Sequence, residues 1–137
     1  MQTFLPYPDF MKSAKCLDYK RLGKQRVEAK QILDILLGRT KTKGWRNHPA
    51  VLMWKDHVTA LQIYYNTILN EWIERGYNNN MEHEYLDVLD LATTRNPSWL
   101  TEEFCASHRS NLLRKDPEWY GKYGWQEPDD LPYIWPT

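Results

Sequence analysis

The chain has 137 residues, 42% of them apolar, and a formal net charge of zero. This is one-domain size with an ordinary globular composition, long enough to bury a core. No run approaches the roughly 18 apolar residues of a membrane span, and the first ten residues, MQTFLPYPDF, lack the basic and apolar regions of a signal peptide. Cys16 and Cys105 are too few and too far apart for a disulfide scaffold, so a reducing, cytoplasmic setting without a membrane is expected. Neutrality alone argues against nucleic acid, but the charge is unevenly spread. Residues 11–47 hold eleven Lys and Arg against three Asp and Glu, a balance of +8, and the remainder holds seven against fifteen, −8. That asymmetry can build a phosphate-binding face or a solvated helix paired with the acidic part.

In chain order, Pro6 and Pro8 restrict the backbone, and residues 1–12 read as an extended arm. Asp18 is placed to cap a helix that runs to Leu37, with Gly38 closing it. Leu22, Ala29, Ile32, Leu33 and Leu36 form its apolar stripe, and Gly23 inside it predicts an irregular first turn. Residues 39–49 form a basic loop. Pro49 starts a second helix to about Arg75, broadly apolar from Val51 to Ile73 and ended by Gly76. Residues 81–92 suggest a short acidic helix. Ser98 or Thr101 caps a third long helix through Arg114, with Glu102 and Glu103 suited to its N-terminal dipole. From Asp116 onward Pro, Gly and aromatic residues predict an irregular tail packed by its rings. No alternating run predicts a sheet. The fold expected is all-α: one small domain, residues 1–137, of three main helices and an aromatic-rich tail.

The polar groups narrow the chemistry. No His or Cys spacing matches a metal site, and no nucleophile elbow or phosphate-binding glycine loop is present. In GKQRVEAKQILDILLG, Glu28 shares a helix face with Lys24 four residues before it and Arg21 seven before it, while Ile32 and Ile35 follow. It is either a salt bridge at the edge of a core or a carboxylate set for chemistry. Lys41, Lys43, Trp45, Arg46 and His48 combine cations with a ring, a pattern that suits a nucleic-acid backbone or a solvated loop with a tucked Trp. His108, Arg109, Asn111, Arg114 and Lys115 make a second polar cluster on the third helix.

Taken together, LGKQRVEAKQIL, GWRNHPAVLMW, DHVTALQIYY, EWIERGYN and SHRSNLLRKDPEWYGKYGW resemble the pyrimidine-dimer DNA glycosylase family, in its bacterial and phage branch. The resemblance covers most of the chain and is weakest at 81–100. It implies an all-α, cofactor-free and metal-independent enzyme that cleaves the glycosidic bond of a damaged base through an imine between an amine and sugar C1′. Strand cleavage by β-elimination follows. The family nucleophile is the N-terminal α-amine, here that of Met1, and its acid corresponds to Glu28. The family carries an Arg directly before that acid, where this chain has Val27.

The chemistry is sound on general grounds. α-Amines as a class titrate near 8 against roughly 10.4 for lysines, so more of the amine is nucleophilic at neutral pH. A neighbouring carboxylate can stabilise an oxocarbenium ion and carry protons. The expected site is catalytic Met1 and Glu28, with Arg21, Lys24, Arg26, Lys43, Trp45, Arg46, His48, His108, Arg109, Asn111 and Arg114 on double-stranded DNA, in a monomer. A DNA-binding module without catalysis and a helical domain with a protein partner are the alternatives.

Overall fold

The computed structural model describes residues 1–40 and 44–136. All regular elements among them are helical: α1 Phe10–Cys16, α2 Tyr19–Leu36, α3 Pro49–Trp54, α4 Val58–Glu74, α5 Val88–Thr93, α6 Glu102–Lys115 and α7 Pro117–Tyr120, with a 3-10 turn at Gly121–Tyr123. The fold is thus a small all-α one whose three long helices are α2, α4 and α6. Helix α2 packs on α4, α1 packs on α4, and α3 on α2.

Local chemistry explains most boundaries. Asp18 stands at the N-cap of α2, yet its carboxylate accepts from the Arg21 guanidinium and the Tyr120 hydroxyl instead of a helix N–H. Gly38 follows the α2 C-cap with φ +69°, a left-handed conformation that costs glycine nothing. Gly23 does not disturb α2. A Cβ there would stand 3.0 Å from the Trp72 ring, so the glycine admits that ring against the helix. Thr101 caps α6 by accepting from the Phe104 N–H at 3.2 Å; Glu102 and Glu103 occupy its first turn and Arg114 and Lys115 its last.

Four expectations are corrected. The arm bends over residues 6–9 and gives way to helix at Phe10, because the Asp9 carboxylate accepts from the Lys12 N–H at 2.8 Å and starts α1. It is also no free arm, since Gln2, Thr3, Phe4 and Leu5 are buried. The helix expected from Pro49 to Arg75 is two. His57, with φ −135° and ψ 42°, leaves helical backbone, and its N–H closes a turn on the Trp54 carbonyl at 2.8 Å. Lys55 and Asp56 are exposed at this break, whereas Trp54 and Tyr64 on either side are fully buried with ring centroids 6.0 Å apart. Residues 81–87 are not helical. They lie along α4, held by Tyr65 Oη on the Glu82 carbonyl and by a two-way Asn66–Glu84 backbone pair, so only Val88–Thr93 coils. The tail is helical over α7 and the 3-10 turn, then irregular.

Candidate functional site

One face of α2 carries Arg21, Lys24, Gln25 and Glu28 at helical spacing. Gln25 is fully buried and holds the N-terminal segment. Its Oε1 accepts from the Phe4 N–H at 2.9 Å and lies 2.6 Å from Tyr64 Oη. Its Nε2 donates to the Gln2 carbonyl at 2.9 Å and to Glu28 Oε2 at 3.2 Å. Tyr64 also donates to the Phe4 carbonyl, Trp54 Nε1 donates to Thr3 Oγ1, and the Leu5 N–H reaches His108 Nδ1 at 3.0 Å. The first five residues are therefore pinned in register against α2, α4 and α6.

The register brings Glu28 to the chain start. Glu28 Oε2 accepts from the Gln2 N–H at 3.3 Å. Covalent geometry keeps successive backbone nitrogens within about 3.7 Å, so the Met1 amine is within about 7 Å of that oxygen. Both open on a cavity of about 510 Å³. Lys20, Arg21 and Lys24 line one side of it, Lys115 at the end of α6 contributes from another element, and Tyr133 and Trp135 of the tail supply rings. Arg21 is paired with Asp18 at 3.2 Å. Among the described residues, Glu28, Lys20, Lys24 and Lys115 form no ion pair within 4.0 Å. The salt-bridge reading of Glu28 therefore has no partner to support it.

His48 does not line this cavity but meets its wall through the Trp135 ring. Its Nδ1 accepts from the Ala50 N–H at 3.0 Å and caps α3, which leaves Nε2 as the protonated nitrogen of the neutral ring. The ring is edge-on to Trp45 at 5.6 Å and to Trp135 at 6.0 Å. Burial lowers its pKa, the positive N-terminal amine lowers it further, and Glu28 opposes them. Burial raises the Tyr133 phenol, so Tyr133 stays neutral beside the lysines.

The structure thus gathers Met1, Arg21, Lys24, Glu28 and His48 and separates the rest. Arg26 lies over the Trp72 ring at 4.0 Å with Nη1 on Asn79 at 3.2 Å, on another side of α2. His108, Arg109 and Asn111 are buried. Arg109 donates to the Pro6 carbonyl and to Glu102 and Glu127, and Asn111 to the Ser107 and Leu131 carbonyls. These partners tie Arg109 and Asn111 to the rest of the protein, and His108 accepts from the Leu5 N–H through Nδ1 while its Nε2 is buried without a hydrogen-bond partner among the described residues. Arg114 is exposed and donates to the Asp129 carbonyl at 3.1 Å. Trp45 and Arg46 are exposed beside α3, and Lys43 lies outside the described residues. Sequence reasoning missed Lys20, Gln25, Lys115, Tyr133 and Trp135 as site residues. Lys20 had a signal, its four-residue spacing from Lys24; the tail rings had none. Among the described residues, no group of three His, Cys, Asp or Glu is placed to hold a metal ion, and no helix is long and apolar enough to cross a membrane.

The arrangement is an amine and a carboxylate at the mouth of a cationic, aromatic-lined cavity. It suits attack on an electrophilic carbon carried between phosphates. Residues 1–85 match the family described as pyrimidine dimer DNA glycosylase; no curated protein and no solved structure matches the chain. The matched stretch contains Met1, the whole of α2 with Glu28, and His48. The chain belongs to the pyrimidine dimer DNA glycosylase family.

Proposed function

We propose that the protein is a DNA N-glycosylase with abasic-site lyase activity. It excises a damaged or modified pyrimidine from double-stranded DNA through an imine formed by the Met1 amine. The observation that carries this reading is the Gln25-pinned N-terminus, which opens the amine and Glu28 onto one cavity.

In this mechanism the neutral amine bonds to C1′ while the glycosidic bond breaks and the base leaves, taking up a proton. Opening of the sugar ring yields the protonated imine. Removal of a C2′ proton then expels the 3′ phosphate. Glu28 offsets the positive charge developing at C1′ and moves protons between amine and sugar. Lys20, Lys24 and Lys115 bind flanking phosphates. Tyr133 and Trp135 offer faces to an unstacked nucleotide, reducing the few kcal/mol that extrusion costs.

The test is borohydride trapping on an abasic duplex followed by mapping of the adduct by mass spectrometry. A Met1 adduct that Glu28→Gln abolishes, with folding and DNA affinity retained, is expected. An adduct on a lysine overturns the nucleophile. The second reading, a DNA-binding module without catalysis, draws on the absence of an ion pair between Glu28 and the amine among the described residues and on Val27 beside the acid. Salt-sensitive binding without any adduct would favour it.

A further inference from the structure

Helix α5 buries none of its residues. Val88 and Leu89 are 77% and 75% exposed, Tyr85 just before them is 83% exposed, and Leu91 is 43% exposed. Val88, Leu89 and Ala92 fall on one helical face, the stripe a helix ordinarily turns to a core. Here that stripe faces solvent. Asp87 and Asp90 flank it and are exposed. The four large side chains present on the order of 500 Å² of surface, in the range where exposed apolar patches mark contact sites. The helix follows the end of the family-matched stretch at residue 85.

A complement lies on the same molecule. Ile35, Leu36, Val51 and Leu52 line a groove of about 490 Å³ between α2 and α3, with Arg46 and Lys55 among its lining cations. Lys55 and Asp56 of this groove also face Thr93–Asn96, the end of α5, across a neighbouring cleft. An acidic apolar ridge and a largely basic apolar groove are therefore adjacent on one side of the protein. Adjacent, complementary surfaces are what a two-fold axis can exchange reciprocally.

We propose that this face is a self-association surface, in which α5 of one copy enters the Ile35–Leu52 groove of a second copy and receives the reciprocal contact. Exchanged twice, the ridge alone brings on the order of 1,000 Å² into the interface, the size a specific contact needs. The proposal replaces the monomer expected from the sequence and is independent of the glycosylase reading.

Sedimentation of the full chain over the micromolar range, on the order of 1 to 100 µM, tests it. A monomer–dimer equilibrium is expected. Leu89→Lys on the ridge and Lys55→Glu on the groove should each weaken it at least about tenfold. Asp90→Lys combined with Lys55→Glu should restore it by charge reversal. These positions are exposed, so circular dichroism and Tm should stay at the parent values. A chain that remains monomeric throughout, or a dimer indifferent to either Leu89→Lys or Lys55→Glu, overturns the proposal.

Discussion

Replacing Gln25 by Leu tests whether the N-terminal segment is pinned as the geometry indicates. The side chain is fully buried and answers four groups: the Phe4 N–H, the Tyr64 hydroxyl, the Gln2 carbonyl and Glu28. Leucine has a similar volume and leaves only a small packing error. Tyr64 keeps a partner in the Phe4 carbonyl at 2.8 Å, and Glu28 keeps the Gln2 N–H. The Phe4 N–H and Gln2 carbonyl are left unanswered, at roughly 1–3 kcal/mol each. Part of that loss is offset by the leucine, so a net loss of about 3 kcal/mol is expected. With a urea m-value of roughly 1.5 kcal/mol/M, the midpoint falls by about 2 M. The segment then has a cheaper alternative, to swing out and let water solvate both groups. Borohydride adduct per folded molecule should therefore fall as well, measured in buffer where the variant is fully folded. Gln25→Glu keeps the acceptor for Phe4 and Tyr64 but loses the donor to Gln2 and places a second carboxylate beside Glu28, so its loss of adduct should also exceed its loss of stability. A stability loss below about 1 kcal/mol with undiminished adduct would refute the claim that Gln25 sets the register of the amine.

The phosphate assignment predicts ionic-strength behaviour. Lys20→Ala, Lys24→Ala and Lys115→Ala should each lower the slope of log binding constant against log salt by about 0.9, whereas Lys12→Ala, beside a different cavity, should leave it unchanged; equal slopes for all four would remove the lysines from the interface. His108 predicts a pH effect on stability. Burial lowers its pKa to about 3, below the roughly 6.5 of an unfolded histidine. The unfolded chain therefore binds the extra proton first. The contribution is whole above pH about 6.5 and falls by up to roughly 1.4 kcal/mol per unit as pH drops toward 3. Urea titrations of the parent and His108→Gln over that range should differ in slope by that amount, and parallel curves would show that His108 does not govern acid stability.

Which parts of this molecule could be read beforehand follows from the range of the interactions involved. The C-terminal end of α2 and the start of α6 were legible because caps are local: Gly38, Thr101, Glu102 and Glu103 act within a few residues of the helix they bound. The break between α3 and α4 was hidden by the same rule. Apolar residues continue in helical period on both sides of Lys55, Asp56 and His57, and periodicity has no term for a backbone turn that redirects a helix without interrupting its hydrophobic pattern. Glu28 was legible through the company of Lys24 and Arg21 on its own helix. Gln25, one turn away, was not. A glutamine among basic residues reads as surface until the partners 21 to 39 positions distant in sequence are in place.

The burial of the second polar cluster was hidden for the complementary reason. His108, Arg109 and Asn111 have the residue types of a nucleic-acid surface, but type does not separate a group that is free from one already answered. The N-terminal segment brings the Leu5 N–H to His108 and the Pro6 carbonyl to Arg109, while the tail brings Glu127 to Arg109 and the Leu131 carbonyl to Asn111. The cluster thereby anchors the two chain ends on α6. The same folding-back carries Met1 to the cavity mouth and Tyr133 and Trp135 to its wall. These polar residues hold in place the segments that form the cavity beside Glu28. Weakening that anchor should therefore loosen the amine and the aromatic wall together, although neither His108, Arg109 nor Asn111 lines the cavity.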